Sequence, residues 1–145
     1  MTKGEIAEKY FLDGCNCAQA VALAFADECG CDAEFILRAA SAFGGGMCRM
    51  REVCGALSGA MLVIGMLYGE GSEREHEIKK ALYARGQAIF AGFRDEMGAV
   101  VCRELLSPAE GAANEPDMRS GDYYKRRPCS KIVHFAADLL AEQLG

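Results

Sequence analysis

The seventeen residues from Val53 to Gly69 carry no charge, and a run of that kind in an otherwise well-charged chain has few places to go. It is marginal for crossing a bilayer, where about 20 apolar residues are needed. It also holds Gly55, Ser58, Gly59 and Gly65, whose small size lets another backbone come close. The pattern predicts a helix from Val53 to Tyr68, closed by Gly69 and buried at the centre of a bundle, so the rest of the chain must supply amphipathic cover. With 145 residues, 51% of them hydrophobic, the chain is long enough to bury roughly two thirds of its unfolded surface without help from disulfides.

The flanking segments read as that cover. Thr2 and Glu5 have capping-box spacing ahead of Ile6, Ala7, Tyr10 and Phe11, and Gly14 stops the helix. A second segment runs from about Cys15 to Cys29 and ends at Gly30. Asp32 caps a third through Phe43, and Gly44, Gly45 and Gly46 then make a flexible or tightly approached turn. Ser72 and Glu75 offer another capping box for a long helix to about Met97, whose stripe is Ile78, Leu82, Gly86, Ile89, Phe90, Phe93 and Met97. A short helix from about Val100 to Leu106 and a long loop from Ser107 to Arg127 follow. Pro128 then opens a last helix burying Ile132, Val133, Phe135, Ala136, Leu139 and Leu140. No strand, repeat or low-complexity tract is expected. The fold class is all-α, a compact bundle of about six or seven helices around a central glycine/alanine-rich apolar helix, with residues 1–145 as a single domain.

Charge and motif content exclude several functions. A balance of 16 basic against 21 acidic residues, net −5, argues against a grip on nucleic acid phosphates. Met1 to Tyr10 lacks the basic, apolar, small-residue order of a secretory signal, which places the protein in the cytoplasm with no membrane span. Gly44 to Gly46 follows a helix and has neither P-loop nor dinucleotide spacing. Paired carboxylates fall only in solvated stretches, so glycosidase-type chemistry has no support.

Eight cysteines are the outlier, because a reducing compartment keeps structural disulfides rare and leaves redox chemistry or metal binding as the explanation. Cys15, Cys17, Cys29, Cys31, Cys48, Cys54, Cys102 and Cys129 contain no C-x-x-C pair, so any site must be assembled from distant segments. Cys17, Cys54, Cys102 and Cys129 each fall within the first turn of an expected helix, where unpaired N–H groups and the helix dipole favour a thiolate. Basic residues stand near three of them: Arg49 and Arg51 before Cys54, Arg103 beside Cys102, and Lys125, Arg126 and Arg127 before Cys129. A plain solvated surface would account for any one of these charges.

The string Cys54-Gly55-Ala56-Leu57-Ser58-Gly59, with Asn16-Cys17-Ala18-Gln19-Ala20-Val21 upstream and Cys102 and Cys129 downstream, resembles the C_GCAxxG_C_C family, named for its signature. Phe43-Gly44-Gly45-Gly46-Met47, Leu67-Tyr68-Gly69 and Cys102-Arg103-Glu104-Leu105-Leu106 look like that family too, and the resemblance spans about Tyr10 to Val133. It implies a small bacterial or archaeal protein with a redox role and four signature cysteines, here Cys17, Cys54, Cys102 and Cys129. Cys15, Cys29, Cys31 and Cys48 are extra to that set, as further ligands, resolving thiols or inert core residues.

Three functions follow. The first is a thiol oxidoreductase running dithiol/disulfide chemistry centred on Cys54, with a redox partner protein or a small thiol or disulfide as its counterpart. The second is a metal-binding module in which Cys17, Cys54, Cys102 and Cys129 hold an iron–sulfur cluster or structural zinc. The third is a helical scaffold with buried, inert thiols. His134 is expected to pair with Asp138 on the surface, and Met47, Met50, Met61 and Met66 to fill core. The Gly55/Gly59 face can pack within one chain or between two, which leaves a homodimer open.

Overall fold

The computed structural model describes residues 1–106 and 128–145. Among them are eight α-helices: α1 (Lys3–Leu12), α2 (Cys17–Leu23), α3 (Ala26–Cys29), α4 (Ala33–Ala40), α5 (Gly55–Tyr68), α6 (His76–Met97), α7 (Cys102–Leu105) and α8 (Cys129–Leu144). A single 3-10 turn, Ser41–Phe43, extends α4. The described residues include no strand, only an isolated antiparallel bridge between Val53 and Val101. The fold is all-α, and no described helix is long and apolar enough to cross a membrane.

The caps explain most boundaries. Thr2 and Glu5 form the expected reciprocal box at α1, Asn16 and Gln19 form another at α2, and the Asp32 carboxylate accepts from the Phe35 N–H at 2.8 Å. Each satisfies helix-end donors that would otherwise be left bare. The segment read as one helix to Cys29 is two, because the Phe25 N–H turns back to Ala22 O at 3.1 Å and its fully buried ring enters the core. The capping box read at Ser72 and Glu75 does not form. The chain turns left-handed at Arg74 (φ 50°), and Glu75 is itself the uncapped N-cap of α6. Pro128 likewise is the N-cap of α8, one position before the expected one. The loop read from Ser107 to Arg127 lies outside the described residues.

Helix α5 is the axis. It packs along α2 and against α6, α8 and α3, and Leu57, Ala60 and Val63 are fully buried with Phe11, Phe25, Ile36, Ile89, Phe93 and Leu140 around them. The slim face meets α2 of the same chain. A Cβ on Gly59 would lie 2.6 Å from Ala18 O, and one on Gly55 would lie 3.1 Å from Cys17 Cβ. The glycines therefore set how near the start of α2, with Cys17, can come to the start of α5, with Cys54. Gly59→Ala is expected to lower stability by about 2 kcal/mol, since the clash is with backbone and outweighs the gain in helix propensity. Gly65→Ala, where an added Cβ meets nothing within 4 Å, should instead stabilise by about 0.5–1 kcal/mol. Urea unfolding midpoints of the two variants check the pair, and equal shifts would mean that the α2–α5 approach is loose.

At the far side α1 lies along α8. His134 Nδ1 is 2.7 Å from Glu8 Oε2 and its Nε2 is 3.2 Å from Asp138 Oδ2, while Asp138 Oδ1 accepts from the Gly4 N–H at 2.6 Å. The expected His134–Asp138 pair forms, with Glu8 as a third member. The hydrogen bond to Glu8, then the Asp138 and Glu8 charges, raise the His134 pKa against the opposing effect of burial.

Candidate functional site

Four helix starts converge beneath the first turn of α5. Cys17 is the first residue of α2, Cys54 the N-cap of α5, Cys102 the first residue of α7 and Cys129 the first residue of α8. All four sulfur residues line one small cavity of about 50 Å³, together with Phe11, Asn16, Gly46, Arg51 and Ile132. The four positions selected from the sequence are thus brought together across the whole length of the chain. The other four are not: Cys15, Cys29 and Cys31 are half-buried elsewhere and Cys48 is exposed. Cys31 Sγ lies 3.6 Å from Met66 Sδ, and none of the four motif-flanking methionines lines the thiol cavity.

The backbone that closes the cavity is strained. After Gly45 (φ 65°) and Gly46 (φ 71°), Met47, Cys48, Arg49 and Arg51 all have φ between 48° and 68°. That is a left-handed stretch, and each non-glycine residue in it costs about 1–2 kcal/mol. Amide bonds fold the stretch back on its own glycines, Arg51 N–H to Gly45 O at 3.1 Å and Glu52 N–H to Gly46 O at 2.9 Å. The turn expected at the three glycines is a tight approach. A Cβ on Gly46 would come within 2.8 Å of Cys102 Cβ, and one on Gly44 within 2.6 Å of Asn16 Nδ2. Two further amide bonds pin α7 beside it, Cys102 N–H to Glu52 O at 2.6 Å and Cys54 N–H to Val100 O at 2.9 Å.

This winding carries Arg51 inward. Its side chain is buried, with 5% of the residue exposed, and guanidinium Nη1 donates to Cys102 Sγ at 3.5 Å. Sequence proximity assigns Arg51 to Cys54 and Arg103 to Cys102, and the structure reverses this. Arg103 turns outward to Glu52 Oε1 at 3.0 Å and Met50 O at 3.3 Å, while Arg51 meets Cys102. Lys125, Arg126 and Arg127 lie outside the described residues. Only the run of glycines before Arg51 hinted that the chain there would turn sharply enough to bury a cation.

The sulfurs are not equivalent. Cys17 is hydrogen-bonded to Cys129, and that bond, then burial, then the negative charge that Cys129, Cys54 and Cys102 can carry hold its pKa well above the ordinary thiol value. Burial pushes Cys54 up to about 12, opposed by the amides of Ala56 and Leu57 and assisted by charge on Cys129 and Cys102. Cys17 and Cys54 are therefore the two members of the cluster that their neighbours and burial hold in the protonated form. Among the described residues no three His, Cys, Asp or Glu side chains are grouped so as to hold one metal ion.

Residues 15–143 match the family described as "Putative redox-active protein (C_GCAxxG_C_C)". The chain belongs to this family. Among curated proteins and among solved structures, none matches. The match to the C_GCAxxG_C_C family takes in every element that lines the cavity except α1, which contributes Phe11.

Proposed function

We propose that this C_GCAxxG_C_C protein is a thiol oxidoreductase that cycles between dithiol and disulfide, with Cys17 and Cys129 as the couple and Cys54 and Cys102 beside them. The observation that carries this reading is the hydrogen bond between the Cys17 and Cys129 side chains at the starts of α2 and α8. It brings the two side chains within hydrogen-bonding reach with the proton on Cys17, and Cys129 opens a sixteen-residue helix whose N-terminus favours negative sulfur. Attack on an oxidised substrate by one sulfur and resolution by the other needs little more. The sequence reading gave the attack to Cys54. A thiol buried to 5% exposure and held protonated up to about pH 12 is poorly suited to it, so Cys54 is assigned the part of a proton-holding neighbour. The counterpart is a small thiol or disulfide, or a redox partner protein that presents one.

The test uses protein purified without oxygen. Metal and inorganic sulfide are measured first; the protein is then oxidised, digested without reduction and mapped by mass spectrometry. A metal-free protein that forms a Cys17–Cys129 link is the expected result. Stoichiometric zinc, or iron with sulfide, that is lost in Cys102→Ser would replace this reading with a metal centre.

A further inference from the structure

The cysteines on either side of Gly30 take no part in the thiol cavity, and the backbone holds them in a fixed turn. Helix α3 ends at Cys29, and Gly30 (φ 66°) takes the left-handed position after it. The Gly30 N–H donates to Asp27 O at 3.1 Å and the Cys31 N–H to Ala26 O at 3.3 Å, the paired bonds that close a helix on a left-handed glycine. Asp32 then caps α4. Cys31 therefore sits in a short link pinned at both ends.

From that link its sulfur meets the last turns of α5. Cys31 Sγ lies 3.6 Å from Met66 Sδ and 3.7 Å from Cys29 O. Cys29 is near enough to feel it, since burial, then charge on Cys31, then charge on Glu28 raise the Cys29 pKa. Glu28 is itself ion-paired with Lys3, so the carboxylate beside this group is already engaged. What remains is sulfur. All three residues are half-buried, and Met66 also lines an open apolar groove with Met61, Leu62 and Gly65.

We infer that Cys29, Cys31 and Met66 form a binding site for a soft monovalent metal ion, copper(I). The site lies outside the cavity of Cys17, Cys54, Cys102 and Cys129 and does not rest on the dithiol reading. Thiolate and thioether sulfur select Cu(I), whereas zinc takes thiolate, imidazole and carboxylate in sets of four. No three His, Cys, Asp or Glu side chains are grouped for one ion among the described residues, and this set needs only two, because its third donor is a thioether. Two metal–sulfur bonds of about 2.3 Å span up to about 4.6 Å, so sulfurs 3.6 Å apart can both bond one ion lying off the line between them. The helices need not move.

On binding, Cys31 gives its proton to solvent and an S–Cu bond forms; no electron is transferred, and the thiolate neutralises the ion. Cys29 supplies the third sulfur across the glycine turn. Half-burial makes this an exchanging site, one that releases its ion during purification and fills again when Cu(I) is offered.

The test loads the reduced full-length chain, carrying selenomethionine, with Cu(I) in the absence of oxygen and reads copper X-ray absorption. The cavity thiols also attract Cu(I), but no methionine of the described residues lines that cavity. A selenium neighbour of copper therefore reports on the Met66 site. A copper–selenium shell is expected, and Met66→Leu should remove it. The concentration of bathocuproine disulfonate that strips this copper should fall at least about tenfold in Cys31→Ser and in Cys29→Ser, since loss of even an outer partner of a metal ligand costs about 10–100-fold. Helical circular dichroism checks each fold. Absence of the selenium shell, its persistence in Met66→Leu, or equal chelator resistance in Cys31→Ser would overturn the copper site and leave the dithiol couple standing. An intact shell in a protein that forms no Cys17–Cys129 link would support the copper site and sink the dithiol reading alone.

Discussion

Oxidising the reduced protein should raise its thermal unfolding midpoint by roughly 10 °C. The Cys17–Cys129 link would close a loop of more than a hundred residues, and a loop of that length stabilises by about 4–5 kcal/mol in the chain-entropy account and about 2–4 in common practice. For a domain of this size each kcal/mol moves the midpoint by about 2–4 °C. Strain subtracts from the gain if the two sulfurs must be pulled together, and the hydrogen bond between the two side chains keeps that movement short. Scanning calorimetry on the oxidised and reduced forms checks this, with Cys129→Ser as the control that should show no redox dependence. Equal midpoints in the two forms of the unaltered protein would mean that another pair carries the disulfide, or none.

That stabilisation bears on function. The couple joins α2 to α8, which pack on each other and on the central α5. A disulfide between them ties the starts of the two helices together at the cavity, so the redox state is also a mechanical state of the site. Closure of the pair takes both sulfurs out of reach of further oxidation, which protects Cys17 and Cys129 from the irreversible steps above sulfenic acid.

Much of this was legible in the residues. The uncharged run from Val53 to Gly69 called for a buried central helix, and α5 is that helix because a segment without charge has no face to give to water. The four site cysteines were legible because each falls at an expected helix start, where a thiol has an electrostatic reason to be; the Asn16–Gln19 box that fixes the start of α2 came only with the structure. Arg51 was not legible. Sequence neighbours suggested Cys54, whereas left-handed winding through Met47, Cys48 and Arg49 sends the side chain to Cys102. Non-glycine residues adopt that conformation so rarely that no local pattern predicts it. The false capping box at Ser72 and Glu75 fails for a related reason, because Arg74 at φ 50° breaks the register that the box requires. Which thiol keeps its proton was also out of reach, since that depends on burial, and burial is a property of the assembled bundle.

Burial of Cys54 should make the reduced protein lose stability steeply in mild alkali. Its thiol is held up to about 12 in the folded chain, whereas an unfolded chain's thiol ionises near pH 8.5–9. Below pH 8 both states keep the proton and the difference contributes nothing. Above pH 9 the unfolded chain releases a proton that the folded chain retains, so the unfolded state binds fewer protons and stability falls with rising pH. The fall continues until pH passes the folded value near 12. At about 1.4 kcal/mol per pKa step it amounts to about 2 kcal/mol by pH 10.5 and about 4 at its limit. Cys17, raised in the same direction, steepens it. Lysines and tyrosines titrate in the same window, so the measurement is a comparison of urea midpoints from pH 8 to 10.5, without oxygen, for the unaltered protein and Cys54→Ala. The variant should start lower, because a small cavity replaces the sulfur, and then decline about 2 kcal/mol less across the range. Parallel profiles would show that Cys54 ionises as an ordinary exposed thiol, and the assignment of Cys54 as the proton-holding member of the cluster would fall with it.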